Sequence, residues 1–444
     1  MENLIPQYVQ NVITGIHNNG YEAYVVGGSV RDILMEKEPK DWDIASNARP
    51  EEIKKIFEMT VDTGIKHGTV TVIIDNNHVE VTTYRKESCY SDNRRPDSVE
   101  FISEIEQDLS RRDFTINAIA YNPILGFKDY NNGREDIKKR IIRCVGSPDN
   151  RFKEDALRMI RAVRFAAQLD FKIEKLTYEA IKNNSYLIER LAIERVREEL
   201  NKILISGNVI KGINLLSDTG LLNLILPELE ECKGLSQDNP HHDYNVFDHI
   251  LNSIANIKPQ LYLRLTMLLH DLGKPRTKTI DKKGIGHFYN HEVVSSEMAK
   301  SILERLKYDN IIKKKVGILV RWHDYRVSMD EASVRKAINK IGPDLFEDYL
   351  LVRNADIKAQ SERYMDEKLE HLLHVKEIYR IIIDSKQPIT QKDLNINGND
   401  LINLGINEGK NIKFTLEYLM KKVLEDPGLN DKELLIGFAQ VFKV

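Results

Sequence analysis

The 444-residue sequence is poor in cysteine: it has three, Cys89, Cys144 and Cys232, far apart and without a CxxC pair. A disulfide framework is not expected, and a reducing cytoplasm is the expected setting. Long apolar runs are also missing. The most apolar stretch, LYLRLTMLL at 261–269, is short and interrupted by charge, so no bilayer span is expected. The start, MENLIPQYVQNVITGI, has neither basic residues nor a long apolar segment, so no signal peptide is expected. There is little net charge, −3, so any nucleic-acid surface must be a local patch rather than a bulk property. No internal repeat or low-complexity tract is present. What remains is an ordinary soluble composition, 30% charged and 41% apolar, of a length that predicts two to four domains.

Strand signals are confined to the first ~140 residues. AYVVGG (23–28) is an apolar run ending in glycines. GTVTVII (68–74) and HVEVTTY (78–84) are rich in β-branched residues and flank DNN, which predicts a hairpin. Pro50 followed by EEIKKIFE predicts a helix start with acids in its first turn. Beyond 150, helical periodicity takes over. RFKEDALRMIRAVRFAAQL (151–169) and LAIERVREELNKIL (191–204) each read as one long amphipathic helix. SQDNPHHD (236–243) separates these from a further helical block, and QPITQKDLNINGNDLINLGINEGK (387–410) opens a small C-terminal unit.

VVGGSVRDILMEKEPKDWDIA (25–45) carries the most chemistry. Gly27 and Gly28 lie between a strand and a helix, where backbone N–H groups can approach phosphates closely. Asp41 and Asp43 flank Trp42; on a strand, i and i+2 share a face. Two carboxylates so placed repel unless cations bridge them, which suits paired Mg²⁺ ions about 3.5–4 Å apart in displacement at phosphorus. One ion would acidify an attacking 3′-hydroxyl and the other neutralise a departing pyrophosphate. Glu80 is a candidate third carboxylate.

RRDFTINAIA (111–120) supplies Arg111 and Arg112 for phosphate oxygens and Asp113 for a ribose hydroxyl. EDALRMIRAVRF (154–165), taken as one helix, puts Asp155, Arg158, Arg161 and Arg164 on one half of its surface. Cytosine and adenine each offer an exocyclic amine beside a ring-nitrogen acceptor. Asp155 can accept from the amine while Arg158 donates to the ring nitrogen. Guanine and uracil present a carbonyl instead and are rejected. Arg161 and Arg164 would serve the triphosphate or the stacked base. The alternative reading of this stretch is a solvated charged face.

In this order, these strings resemble class II tRNA nucleotidyltransferases of the DNA polymerase β superfamily; LAIERVREELNKIL resembles the family's next helix and LNINGNDLINLGINEGKNI its Gram-positive tail. The resemblance implies an α+β protein: a small polymerase-β-like head at 1–140, an all-α neck and body at 141–235 and a helical tail at 385–444 that reaches the tRNA elbow. It implies CTP and ATP as substrates, Mg²⁺, and a tRNA 3′ end as primer. Gly28 and Arg31 would touch the triphosphate, Asp41 and Asp43 the magnesium, Arg112 the nucleotide, and Asp155, Arg158, Arg161 and Arg164 would form the selecting helix. Poly(A) polymerases share the head, but their extra basic signature after the neck is not evident. CC-adding relatives lack a loop that TTYRKESCYSDNRRPDSVEF (82–101) resembles, which leaves full CCA addition or A-addition alone. Cations concentrate at 134–164, where Lys138, Lys139, Arg140 and Arg143 are the expected path of the acceptor stem, recognised by shape and backbone.

The middle block is different. Seven of the twelve histidines fall between 241 and 323. His249 is followed by His270 and Asp271 in LLHDLGKP, then His287 and His291, then His323 with Asp324, then Asp356. Imidazoles with carboxylates suit a divalent transition metal such as Ni, Mn, Fe or Zn. The ordered series resembles the HD superfamily of metal-dependent phosphohydrolases, which implies an HD domain at 240–375. The resemblance makes His249, His270, Asp271 and Asp356 core ligands, with His291 and His323 extending the site to a second metal and His287 and Asp324 as further candidates. It implies hydrolysis of phosphomonoesters or 2′,3′-cyclic phosphates. A chain acting mainly as a phosphohydrolase, or as a non-catalytic RNA binder, is the competing class of function.

Overall fold

The computed structural model describes residues 4–88, 98–406 and 409–442, and its contacts divide the chain into two compact units, Met1–Ile225 and Leu226–Val444. The first nine strands of the first unit are β1 (Ala23–Val26), β2 (Asp43–Ser46), β3 (Thr60–Gly64), β4 (Thr69–Ile74), β5 (Asn77–Thr83), β6 (Arg85–Ser88), β7 (Ser98–Phe101), β8 (Ala120–Asn122) and β9 (Gly126–Lys128). Seven form one mixed sheet in the order β3-β4-β5-β2-β1-β8-β9, and β6 and β7 pair separately. Within that sheet only the β2–β5 neighbours are parallel, and a separate short parallel pair, Ile141–Ile142 with Lys172–Ile173, interrupts the 141–235 stretch expected to be all-α. The interior strand β1, between β2 and β8, is buried along its whole length. The helix Gln7–Asn18 packs on β1 and β5 through Val9, Val12, Ile13 and Ile16, an i, i+3, i+4, i+7 stripe. A second cluster includes Tyr24, Val26, Tyr84, Leu109 and Ala120.

The expected hairpin is present. Ile74 pairs with Asn77 across Asp75 and Asn76, whose φ values of 50° and 60° belong to a turn whose twist matches the flanking strands. The helix Pro50–Ile56 begins at Pro50, and the backbone N–H of Arg49 donates to Glu52 Oε2 at 2.6 Å. The single helix expected over 151–169 does not form. A helix at Pro148–Glu154 stops, Asp155 is extended (φ −142°, ψ 104°), and a new helix runs Leu157–Leu169. Asp155 Oδ1 accepts from the Leu157 N–H at 3.1 Å, so its short side chain replaces a backbone acceptor and starts the second helix. Asp41 is likewise outside the strand, in the bend before β2, although the exposed–buried–exposed alternation through Trp42 to Asp43 is kept. The central part of the 82–101 loop, 89–97, with Cys89, lies outside the described residues.

The second unit is helical apart from a short hairpin, Lys278–Ile280 with Gly286–Phe288. Its bundle contains the helices Val246–Ala255, Leu261–Leu269, His291–Arg305, Asn310–Trp322 and Phe346–Lys358. Asn245 and Asp309 cap two of these starts by accepting from backbone N–H groups three residues on. The last helices, Gly398–Asn403, Lys410–Glu425 and Lys432–Ala439, enclose Leu401, Leu419, Val423 and Leu435. Buried Arg335 joins this tail to the bundle: its guanidinium donates to the carbonyls of Leu424 (2.9 Å) and Glu425 (3.0 Å), the otherwise unpaired end of the long tail helix. Among the described residues no helix is long and apolar enough to cross a membrane, and Cys144 and Cys232 are buried free thiols.

Candidate functional site

The first site forms where β1 ends. Gly27 has φ +76° and ψ −132°, a conformation that side chains disfavour, and it turns the chain sharply into the helix Gly28–Leu34. A Cβ at Gly27 would lie 3.2 Å from Arg112 Nη1 and 3.9 Å from Asp43 Oδ2, so the turn, the guanidinium and the carboxylate are immediate neighbours. Asp43 stands directly opposite Glu80 in the parallel β2–β5 register. Desolvation, then Glu80, push the Asp43 carboxyl above its ordinary range; Arg112 opposes them and Asp41 adds to them. These acids repel as they stand, which is the condition a cation relieves. They are not drawn into a tight ligand cage: among the described residues, the groups with ligand atoms all within 4.8 Å are both in the second unit. Among the described residues Arg112 pairs with Asp108 Oδ2, at 3.3 Å, and its buried Nε finds no acceptor. An under-satisfied guanidinium beside a glycine turn suits a phosphate oxygen.

Behind this rim the arginines are paired with acids rather than solvated. Arg158 and Arg164 are each 8% exposed, which removes the solvated-face alternative for them. Asp113 Oδ2 accepts from Arg161 Nε (2.9 Å) and Nη2 (2.6 Å), and Oδ1 accepts from Asn117 (3.2 Å). Burial alone would raise Asp113, but Arg161 and Asn117 overcome it and hold the carboxyl at about 2. The carboxyl for which a ribose contact is expected is thus held in a buried ion pair. Arg31, expected on a triphosphate, instead donates to Asp32 (2.7 Å) and Asn117 (2.8 Å). Arg158 pairs with Glu154 at 2.7 Å, while Asp155 pairs with Arg195 at 2.8 Å. Asp155 therefore precedes the helix rather than sharing a helical face with Arg158. Arg164 Nε lies 3.0 Å from Glu199 Oε2, an ion pair without a well-aligned hydrogen bond. Burial, then Arg161, lower Arg164 to about 10 despite Glu199. Arg31, Arg161 and Arg164 all lie over the Phe165 ring, at 5.3, 5.4 and 4.0 Å.

Sequence reading missed Asp108, Asn117, Glu154, Arg195 and Glu199. Arg195 and Glu199 are four apart on the helix Ile193–Leu204, a spacing that could have flagged them as one face. Of the expected RNA contacts, Lys138, Lys139 and Arg140 are exposed, with Arg140 in a left-handed conformation (φ 56°) at the end of the helix Gly133–Lys139. Arg143 differs: it is held by Asp136 at 3.0 Å and Glu174 at 3.6 Å, and so is tied into the fold.

The second site is buried. His249, His270, Asp271, His323 and Asp356 are at most 5% exposed, and His291 8%. Gly273 lets the HDLGKP turn pack on the helix His291–Arg305; a Cβ there would meet His291 O at 2.5 Å and Ser295 N at 2.8 Å. Each imidazole is oriented by a carbonyl: Nδ1 of His249 by Ala359 O (3.0 Å), of His270 by Met267 O (2.7 Å), of His291 by Phe288 O (2.8 Å) and of His323 by Val320 O (2.7 Å). Donation through Nδ1 turns every Nε2 inward. These meet in pairs, His249 with His270 at 3.3 Å and His291 with His323 at 3.2 Å. Asp271 lies between the pairs, Oδ2 3.2 Å from His249 and from His270, Oδ1 3.4 Å from His291 and 3.5 Å from His323. Neither Asp271 oxygen completes a well-aligned hydrogen bond, even with Lys274 Nζ 2.7 Å away. Facing nitrogen lone pairs around an orphaned carboxylate fit divalent cations. Asp356 adds Oδ1 at 3.1 Å from His249, with Oδ2 held by Arg353 (3.2 Å) and Gln360 (3.0 Å). His287 and Asp324 stand apart from this ring, paired with Asp281 and Arg353 respectively.

Family models match a poly A polymerase head domain over 23–143, an RNA and SrmB-binding site of polymerase A over 170–233, and a tRNA nucleotidyltransferase domain 2 over 288–439. The CCA-adding enzyme of Ligilactobacillus salivarius is 36% identical over 97% of this chain and 95% of its own length. That of Streptococcus thermophilus is 34% identical, covering 97% and 96%. Among solved structures, the Bacillus stearothermophilus CCA-adding enzyme in complex with CTP matches with a TM-score of 0.71 at 28% identity, covering 98% of this chain and 96% of that one. A glycine turn flanked by carboxylates, an arginine-lined helix behind it and relatives matched end to end lead to one conclusion: the chain belongs to the CCA-adding enzymes, the tRNA nucleotidyltransferases.

Proposed function

We propose that this protein adds CMP and AMP from CTP and ATP to the 3′ end of tRNA without a template, in the cytoplasm. The observation that carries this reading is the juxtaposition of the Gly27 turn, Arg112 and the Asp43–Glu80 carboxylate pair. The primer 3′-oxygen, losing its proton, bonds to the α-phosphorus of the incoming nucleotide, and pyrophosphate leaves. Asp41 and Asp43, with Glu80 beside them, are the residues that would hold two Mg²⁺ ions. Magnesium bound there supplies positive charge for the 3′-oxygen and the departing pyrophosphate. Gly28 and Arg112 face the triphosphate. Asp155 and Arg158 select the base, which requires each to leave its present partner, Arg195 and Glu154. In this reading 1–140 is the head, 141–235 the neck and body, and 385–444 a tRNA-binding tail.

The test is incorporation of labelled nucleotide from CTP alone, ATP alone and both, into tRNAs lacking three, two or one residue of the CCA end. CMP then AMP addition supports the reading; AMP addition to the last substrate alone identifies an A-adding enzyme that works with a separate CC-adding one; no incorporation with magnesium rejects both.

A second activity is favoured by the paired, inward-facing Nε2 atoms around Asp271. We propose that 240–375 is an HD phosphohydrolase domain whose metal ligands are His249, His270, Asp271 and Asp356, with His291 and His323 for a second ion. A divalent transition metal there supplies positive charge to a phosphate ester and lowers the pKa of a water. Hydrolysis of phosphomonoesters or 2′,3′-cyclic phosphates by the full chain, dependent on added Ni, Mn, Fe or Zn, tests it.

A further inference from the structure

The histidine cluster opens into a cavity of about 740 Å³, within the usual size of a site for a small organic ligand. One part of its rim is built in an unusual way. The hairpin Lys278–Ile280/Gly286–Phe288 is followed by Tyr289, then Asn290 in a left-handed conformation (φ 60°), then the inward-facing His291. The reversal at Asn290 lets two residues so close in sequence serve opposite ends of the cavity, His291 at its floor and Tyr289 at its mouth. Tyr289 is 69% exposed, and its ring has an aromatic neighbour. It stacks on His287 at 5.3 Å between centroids and 8° between planes. His287 Nε2 lies 3.2 Å from Asp281 Oδ2, and Asp281 Oδ1 accepts from the backbone N–H groups of Lys283 (2.8 Å) and Ile285 (3.0 Å). The hairpin backbone thus holds Asp281, Asp281 pairs with His287, and His287 stacks on the ring of Tyr289, which lines the cavity.

An exposed tyrosine by itself says little. A tyrosine ring held flat at the mouth of a cavity matches one half of a nucleotide, because stacking on an aromatic face is how single nucleobases are held. The cavity supplies the other half: Arg326 and Lys368 line it as cations, above the metal-ligand cluster. We propose that Tyr289 is the base-stacking platform of this cavity, making its ligand a nucleotide phosphate rather than a simple phosphomonoester. This rests on the phosphohydrolase reading for the fate of the phosphate, and on the His287–Tyr289 stack alone for the base.

The test compares the full-length protein with Tyr289→Ala and Tyr289→Phe, in the presence of the divalent metal that best supports hydrolysis. The substrates are adenosine 3′-monophosphate, a short RNA ending in a 3′-phosphate, and glycerol 2-phosphate, which has no base. Loss of one base–aromatic stack corresponds to about a 5- to 100-fold change. Tyr289→Ala is expected to raise KM for the two base-bearing substrates by that factor relative to glycerol 2-phosphate, with Tyr289→Phe close to wild type. A rise with the RNA alone identifies an RNA end as the occupant, and a rise with both admits the free nucleotide; either supports the platform. Equal KM ratios in all three proteins overturn it. If no metal supports hydrolysis of any substrate, the phosphohydrolase reading fails and the platform is judged by calorimetric titration with adenosine 3′-monophosphate. Any binding in the first unit is common to wild type and Tyr289→Ala and cancels. Weaker binding to Tyr289→Ala upholds the platform, and identical binding overturns it.

Discussion

The two charged centres of this protein are built on opposite plans. In the first unit the arginines of the neck each sit on an acid: Arg161 on Asp113, Arg158 on Glu154, Arg164 on Glu199. The carboxylates at the rim are exposed beside the glycine turn. In the second unit four imidazoles are buried and locked by backbone carbonyls, with their remaining nitrogens aimed at the buried Asp271 and, for His249, also at Asp356. The difference follows what each has to hold. A site that takes changing nucleotides needs groups that can trade partners without stranding a buried charge. A site for a resident cation needs ligands whose orientation is settled before the ion arrives.

The largest effect that would break this contrast is loss of the rim acids. Asp43→Ala should lower CMP incorporation by roughly three orders of magnitude, the equivalent of several kcal/mol of lost charge stabilisation at the transition state, while any metal-dependent hydrolysis survives. Equal loss of both activities would mean that the two centres do not work separately. Next, Asp271→Ala should strip bound divalent metal by at least about tenfold in elemental analysis and leave nucleotide incorporation standing; undiminished metal would remove Asp271 from the centre of the site.

Asp113→Asn sharpens the account of the neck. The folded carboxyl, held at about 2, lies below its ordinary value of 3.8, so its contribution is present above pH ~4 and is lost as pH falls toward 2. The wild-type advantage over Asp113→Asn in denaturant unfolding should be about 2 kcal/mol near neutrality and shrink between about pH 4 and pH 2. A difference that persists unchanged at pH 2 would show that the carboxylate charge is not its source. The smallest effect is on the surface. Replacing Lys138, Lys139 and Arg140 together by alanine should raise the tRNA KM by about three- to tenfold and flatten its salt dependence by up to about one logarithmic slope unit per lost phosphate contact. Unchanged tRNA binding across several salt concentrations would move the acceptor stem elsewhere.

Much of this arrangement was already written locally. The apolar run ending in Gly27 and Gly28, the Asp75–Asn76 turn and the Pro50 helix start follow from periodicity and turn chemistry within a few residues, and all are found in the fold; of the acids on either side of Trp42 only Asp43 is on the expected strand. The order of histidines and aspartates announced a cluster, because such residues seldom recur in series without a shared ligand. The break at Asp155 escaped notice: helical periodicity runs straight through it, and only the side chain's capping of Leu157 ends one helix and begins the next. Pairings that bridge long stretches of chain could not be read from neighbours either. Arg161 finds Asp113 across 48 residues, Arg195 finds Asp155 across 40, and the carbonyl that orients His249 is 110 residues away. The sequence by itself determined which chemistry is available and where several of the strands and helices begin, the Asp155 break excepted. Tertiary structure alone decided which acid each arginine takes and which nitrogen each histidine turns inward, because burial and long-range contact settle charge and hydrogen-bond partners, and local pattern does not.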